Sequence, residues 1–283
     1  MTRLHELEHQ RKSLAEIRDI LNSMRTLAYM ETRKLARFLD AQHAVVESIE
    51  AAAADLLAWY PDVLPAAKVT TAVYLLVGSE RGFCGDFNHA LLRHLESALA
   101  EKAPGSPLLI VAGRKLFTLL EGDTRMVSSL DSASVVEEVT PLLNRLVTVL
   151  TSLQEKHGPL AVSCLYHGSE DGITMQRLLP PFQHLLARPA RHAHPPLLNL
   201  TPQTLLGELA DHYLFAALHE MLYTSLLVEN RQRVAHLEGA VHHLDDESEK
   251  LARRSNILRQ EEIIEEIEVI LLGATDAGGT LWP

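Results

Sequence analysis

Glycine and proline are missing from Thr2 to Tyr60, so nothing in the first sixty residues breaks a helix. Aromatic residues make up only 5% of the chain, which tilts its composition toward helix. There are two cysteines, Cys84 and Cys164, in no metal-binding spacing. Neither a disulfide-stapled secreted scaffold nor a zinc module is indicated. No run of about 18 apolar residues occurs, so no membrane-spanning helix is expected. The charged start from Arg3 lacks the apolar core of a signal peptide. A cytoplasmic location, with membrane association made through partners, is the expectation. The formal net charge of −11 argues against nucleic acid, because phosphate binding needs a clustered positive surface.

Motifs that carry chemistry are equally sparse. Residues 78–88 (GSERGFCGDFN) follow a strand-like run but lack Gly-x-Gly-x-x-Gly spacing and a Gly-Lys-Ser/Thr phosphate loop. A tight turn at the carboxyl edge of a sheet is expected, with Cys84 as a small buried packing residue. Among the histidines, His192 and His194, and His242 and His243 beside Asp245 and Asp246, are the metal candidates. None has a His-Glu-x-x-His or cysteine-pair context, so no metal and no cofactor is expected. Glu261, Glu262, Glu265, Glu266 and Glu268 cover much of a helix surface, and a solvated or partner-facing role is expected for them. No Ser-His-Asp or Cys-His constellation stands out, and no catalytic residue is assigned.

What the chain has is helical periodicity. Every seventh position gives Leu7, Leu14, Leu21, Ala28, Leu35, Gln42, Ile49 and Leu56; three further on lie Gln10, Ile17, Met24, Glu31, Phe38, Val45 and Ala52. This is an a/d seam with interruptions at Gln10, Glu31 and Gln42, where the seam is expected to open or to face another chain. Such a helix would be roughly 85 Å long, beyond one compact domain. Its Arg11, Lys12, Arg18, Arg25, Arg33, Lys34 and Arg37 make it locally basic. A second long pattern, residues 204–273, carries Val234, Leu237, Val241, Leu244, Ser248, Leu251, Ser255 and Leu258, then slips in phase to Ile263, Ile267 and Ile270.

Between them, residues 69–79, 107–112 and 160–166 read as buried strands, 173–179 as a hairpin partner, and 126–127 as a short strand. Helical patterns cover 89–102, 114–121 and 135–156. This alternation indicates an α/β layer with a mainly parallel, Rossmann-like sheet. The expected organisation is residues 1–60 and 204–274 as an antiparallel coiled coil of N- and C-terminal helices, with residues 68–187 as a central α/β domain.

Three blocks, in order, resemble the gamma subunit of F-type rotary ATP synthases. The first is residues 12–35, matching at Lys12, Ser13, Ile20, Met24, Ala28 and Arg33. The second is residues 79–88, matching at Arg81, Gly82, Cys84, Gly85 and Asn88, which the resemblance makes a structural turn. The third is residues 256–274, matching at Asn256, Arg259, Gln260, Ile263, Glu266, Ile267, Glu268, Ile270, Gly273 and Ala274; Glu229, Arg233 and Ala240 fit upstream.

The resemblance implies a non-catalytic central-stalk rotor, peripheral on the cytoplasmic face of a bacterial membrane. Its implied partners are the alpha and beta subunits, epsilon and the membrane ring of c subunits. It further implies that Arg259, Gln260, Met24 and Arg25 contact beta. Glu31, the acidic stretch 240–249 and the pair Glu261-Glu262 depart from the family pattern, as in a divergent paralogue from an ion-pumping ATPase. The alternatives are an α/β ligand-binding enzyme with coiled-coil arms, using the 78–88 turn, and a static coiled-coil scaffold.

Overall fold

The computed structural model describes residues 3–64, 71–100, 107–168, 172–186, 188–189 and 191–277. The expected strand start at 69–70, loop at 104–106 and turn at 170–171 lie outside them. The elements are α1 (Arg3–Trp59), β1 (Thr71–Val77), α2 (Phe87–Ala100), β2 (Leu108–Ala112), α3 (Arg114–Leu119), β3 (Met126–Leu130), α4 (Val139–His157), β4 (Leu160–His167), β5 (Ile173–Leu179) and α5 (Pro202–Ala277). The chain divides into two compact units, Ala28–Val234 and the paired segments Met1–Leu27 and Ala235–Pro283, so the division falls inside both long helices.

In the unit Ala28–Val234, the strand order is β3-β2-β1-β4-β5. β1 pairs in parallel with β2 and β4, β2 in parallel with β3, and β5 runs antiparallel to β4. The sheet is thus mainly parallel and Rossmann-like. Successive side chains of β1 point to opposite faces. Val73, Leu75 and Val77 join a core with Leu142, Leu143 and Leu146 of α4 and with the long helices, while Tyr74 and Leu76 pack on Leu91 and Leu95 of α2 and Leu116 of α3. Burial on both faces explains why β1 reads as an apolar run rather than an alternation. Each fully buried leucine contributes about 1.5–3 kcal/mol. Pro141 sits in the first turn of α4, where its missing N–H is harmless.

The part of α1 in this unit buries Leu35, Val46, Ala53 and Leu56, with Leu39 and Ile49 packed beside them. The first heptad series therefore faces inward, but the second does not. Phe38 and Val45 are about half exposed, at 49% and 47%, and the inward residues are those one position on. The pairs Phe38-Leu39, Val45-Val46 and Ala52-Ala53 are apolar at both members, so spacing alone could not choose between them. Packing against the sheet domain as well as α5 decides for the second member. Here α1 and α5 run antiparallel: Phe38 stacks on Tyr223 with centroids 6.4 Å apart, and Gln42 Nε2 donates to the Ala216 carbonyl at 3.0 Å. Gln42 does not open the seam as expected; it closes onto the backbone of α5.

In the other unit, Leu21, Leu237 and Val241 form a small buried cluster with Met24, Ala240 and Leu244 around it. Exposed ion pairs follow the antiparallel register: Arg25 with Glu238 at 3.9 Å, Arg18 with Asp245 at 2.6 Å and Arg259 with Glu8 at 3.0 Å. The heptad of α5 is kept through Ser255, which is buried, and Leu258. Where its phase slips, Ile263, Ile267 and Ile270 become exposed, at 49%, 50% and 69%.

The register makes a sharp test. Val46→Asp, placing a charge at a buried position, should destabilise the protein by about 3–5 kcal/mol. Val45→Asp should change stability by no more than about 0.5 kcal/mol. Urea unfolding measures both, and equal effects would refute the assignment.

Candidate functional site

The carboxyl edge of the sheet is where a fold of this kind places chemistry. Leaving β1, the chain passes Gly78, whose N–H donates to the Ala112 carbonyl at 2.8 Å. A Cβ here would collide with Leu116 and lie 2.9 Å from Asn88 Oδ1, so only glycine fits. Ser79 N donates to Asn88 Oδ1 at 3.0 Å, and Ser79 Oγ accepts from Asn88 Nδ2 at 2.8 Å and from Cys84 Sγ at 3.3 Å. All three side chains are buried. Burial pushes the Cys84 thiol up, which keeps it protonated and unreactive. Gly85 has φ +60°, a left-handed turn that favours glycine, whereas at Gly82 the nearest obstacle is Lys115 Cε at 3.8 Å. Gly82 is therefore not required sterically. Glu80 accepts from the N–H groups of Arg114 at 3.0 Å and Ser132 at 2.9 Å, tying this turn to α3 and to the chain after β3.

The strand order reverses between β1 and β4, which is where a Rossmann-like sheet would admit a ligand. That place is filled by the chain itself. Phe87 and His167 stack with ring centroids 3.8 Å apart, and both are buried. His167 Nε2 lies 2.9 Å from the Phe87 carbonyl oxygen. A carbonyl can only accept, so Nε2 carries the proton. Burial lowers the pKa of His167 and favours its neutral form.

A buried polar cluster reaches this turn from α5. Arg233 Nε donates to the Gly82 carbonyl at 3.1 Å and its guanidinium also reaches the Arg81 carbonyl at 3.4 Å. The same guanidinium donates to Asn230 Oδ1 at 2.9 Å and to the Glu229 carboxylate. Glu229, Asn230 and Arg233 are all buried. Burial raises Glu229 to about 7, against the downward pull of Arg233. The next residue of the turn, Phe83, has φ +63° without being glycine. Such a conformation costs about 1–3 kcal/mol and persists only where its surroundings hold it.

The remaining expected site residues lie on the helices. Met24 is half-buried against the Leu21 cluster, Arg25 reaches Glu238, Arg259 pairs with Glu8 inside the coil, and Gln260 is exposed. Glu31 is neither a gap in the seam nor a free charge: it accepts from Val136 N at 3.2 Å and from Lys34 Nζ at 3.2 Å, and Lys34 also bonds Glu137 at 2.7 Å. Among the described residues, no group of three or more His, Cys, Asp and Glu could hold a metal ion.

Sequence reading missed Glu80 and His167, and it named Glu229 and Arg233 without a role. An Arg four residues after a Glu on one helix face, directly after the apolar run Leu226-Leu227-Val228, was the available signal for a pair.

Paired long helices and a Rossmann-like, mainly parallel sheet define a mixed α/β class of protein. A family model described as ATP synthase matches residues 3–276. The ATP synthase gamma chain of Clostridium botulinum strain Kyoto is 22% identical over 93% of this chain and 94% of its own length. That of Clostridium beijerinckii is 21% identical over 96% and 97%. A chain of the Euglena gracilis mitochondrial ATP synthase (OSCP/F1/c-ring, rotational state 3) superposes with TM-score 0.61 at 17% identity, covering 99% of this chain and 97% of that one. A chain of that enzyme's rotor in rotational state 1 gives TM-score 0.59 at 17% identity, covering 92% and 98%. The chain belongs to the ATP synthase gamma family, and its function is that of a central-stalk subunit of a rotary ATP synthase.

Two outcomes follow from the turn. Gly78→Ala should destabilise the protein by about 2 kcal/mol or more through overpacking against Leu116; wild-type stability in urea would contradict the geometry. The raised value of Glu229 sets a pH dependence. Its ordinary value is 4.5, so the folded state binds the proton more tightly than the unfolded chain. The stability it contributes is complete below about 4.5 and is lost as pH rises through about 7. Glu229→Gln should remove that decline, measured by urea unfolding across the window. An unchanged slope would mean that Arg233 keeps the carboxyl ionised throughout.

Proposed function

We propose that this chain is the rotating shaft through which ion-driven rotation in a membrane ring is coupled to ATP synthesis or hydrolysis on partner beta subunits. The observation that carries this reading is the exposed apolar row at the end of α5: Ile257, Ile263, Ile264, Ile267, Val269, Ile270 and Leu271 are each about half exposed or more. So many large apolar side chains left exposed on one helical segment favour its being covered by another chain. Interleaved with it are Glu261, Glu262, Glu265, Glu266 and Glu268, all exposed. A helix apolar and acidic around its whole circumference suits a sheath of other chains better than water or lipid.

In this reading the sheath is a ring of alpha and beta subunits, while epsilon and the c ring engage the α/β domain. Arg259, Gln260, Met24 and Arg25 contact beta. Arg259 and Arg25 then exchange their intra-coil partners, Glu8 and Glu238, for acidic groups of beta as the shaft turns. Both pairs are surface-exposed and worth about 0–1 kcal/mol, so the exchange is easy. Catalysis belongs to beta, and this chain acts by stabilising different beta conformations at different angles. Among the described residues no helix is long and apolar enough to cross a membrane. In this reading the chain is a peripheral subunit on the cytoplasmic face of a bacterial membrane. Identities of 21–22% to clostridial gamma chains support a divergent member, tuned to its own alpha-beta set.

Reconstitution with cognate alpha and beta tests the reading. The chain should restore cooperative ATP hydrolysis, and Arg259→Ala with Gln260→Ala should weaken coupling. Nucleotide bound tightly or hydrolysed by the purified chain alone would refute it, as would full activity after removal of the last twenty residues.

A further inference from the structure

We infer that Arg233 and Glu31 are positioning residues that lock the two long helices to the α/β domain, so that torque passes between coil and domain without slip. The inference rests on the rotor reading above and adds to it the residues that join the rotor's parts.

The argument starts from what apolar packing cannot do. The core shared by the sheet, α4 and the long helices is held by the hydrophobic effect, which is non-directional and depends on area rather than angle. Such a contact resists separation better than it resists a small sliding or twisting displacement. Hydrogen bonds weaken steeply with angle and lengthening, so they resist that displacement directly.

The structure supplies two such joints, one from each long helix. From α5, Arg233 donates to the consecutive carbonyls of Arg81 and Gly82, at 3.4 and 3.1 Å. Glu229 and Asn230, one turn and three residues earlier on the same helix, hold the guanidinium in place. All three side chains are buried, which shields their mutual bonds, while the two bonds to the turn carbonyls are partly buried. From α1, Glu31 accepts from the backbone N–H of Val136, just before α4, and Lys34 spans from Glu31 to Glu137. Glu31 is only 16% exposed. Both joints grip main-chain atoms, which cannot swing away as a side-chain partner could. One joint holds the turn after β1 and the other holds the start of α4, so they brace the domain at separate elements. Phe83, in its left-handed conformation directly after the gripped carbonyls, marks a turn held under constraint.

The test uses the complete enzyme, with this chain and its cognate subunits in sealed vesicles. ATP hydrolysis and ATP-driven ion uptake are measured together, per assembled complex. Arg233→Ala and Glu31→Ala, which removes the acceptor for the Val136 N–H, should leave hydrolysis near wild type and lower ion uptake per ATP, with the double variant lower than either. Amide exchange of the 79–86 turn in Arg233→Ala should quicken by about tenfold or more, the loss of a charge-assisted bond. Should Arg233→Ala fail to assemble, Arg233→Lys serves instead. It keeps the charge beside Glu229 but cannot fork to two carbonyls, so it should fall between wild type and loss. Unchanged coupling in variants whose turn exchanges faster would overturn the inference, as would unchanged exchange. If complexes with the wild-type chain themselves show no coupled uptake, the rotor reading fails instead.

Discussion

The pairing of two helices too long to bury their own apolar stripes is the constraint on which everything else depends. α1 runs from Arg3 to Trp59 and α5 from Pro202 to Ala277, and no helix of that length is stabilised by propensity alone. Each needs an apolar partner, and within each unit the antiparallel pairing supplies one over part of that length. In the unit Ala28–Val234 the pairing is also the floor of the sheet's core: Leu35, Val46 and Ala53 belong to the same cluster as Val73, Leu75 and Leu146. Removing either helix there would uncover part of the core that Val73, Leu75 and Val77 share with α4. In the other unit the pairing is lean, with Leu21, Leu237 and Val241 as its buried apolar residues and ion pairs at its flanks.

That difference explains which parts of the fold were legible. The strands were readable because burial on both faces writes an apolar run, as in β1, β2 and β4. Edge strand β3 was readable only in part, since Met126–Leu130 is half-buried and carries two serines. The long helices announced themselves by the absence of breakers and by a seven-residue period. Their inner faces were harder. At residues 38–39, 45–46 and 52–53 two apolar neighbours compete, and only the third layer, the sheet domain, selects Leu39, Val46 and Ala53. A coiled-coil rule presumes one partner helix, and this part of α1 has several partners.

The site was less legible than the fold for a related reason. Periodicity flags polar residues in apolar positions as faults, and both Gln42 and Glu31 were read so. Each is instead paired with a backbone atom of an element far away in sequence, Gln42 with the Ala216 carbonyl and Glu31 with the Val136 N–H. The need to satisfy a buried or half-buried main-chain group is invisible until the third dimension is known. The turn at 78–88 was legible as a turn, because two of its glycines have no substitute: Gly78 for close approach and Gly85 for its left-handed backbone. Gly82, equally prominent in the motif, has no such need, while its carbonyl does the binding. A motif letter thus records the residue without recording which of its atoms matters.

The filled switch point shows how one architecture can be turned to different ends. A doubly wound sheet leaves a crevice at the carboxyl ends of the strands flanking its reversal, and a ligand placed there meets the N–H groups of the following helix. Here Phe87 opens α2 inside that crevice and stacks on His167 from the end of β4, while Asn88 turns back to Ser79. Groups that would have faced a ligand bond one another instead. The same edge is then free to be gripped from outside, and Arg233 grips it. Fold and function part company at this point. The sheet keeps its topology, while the turn at its carboxyl edge is held from α5 by Arg233 through the Arg81 and Gly82 carbonyls.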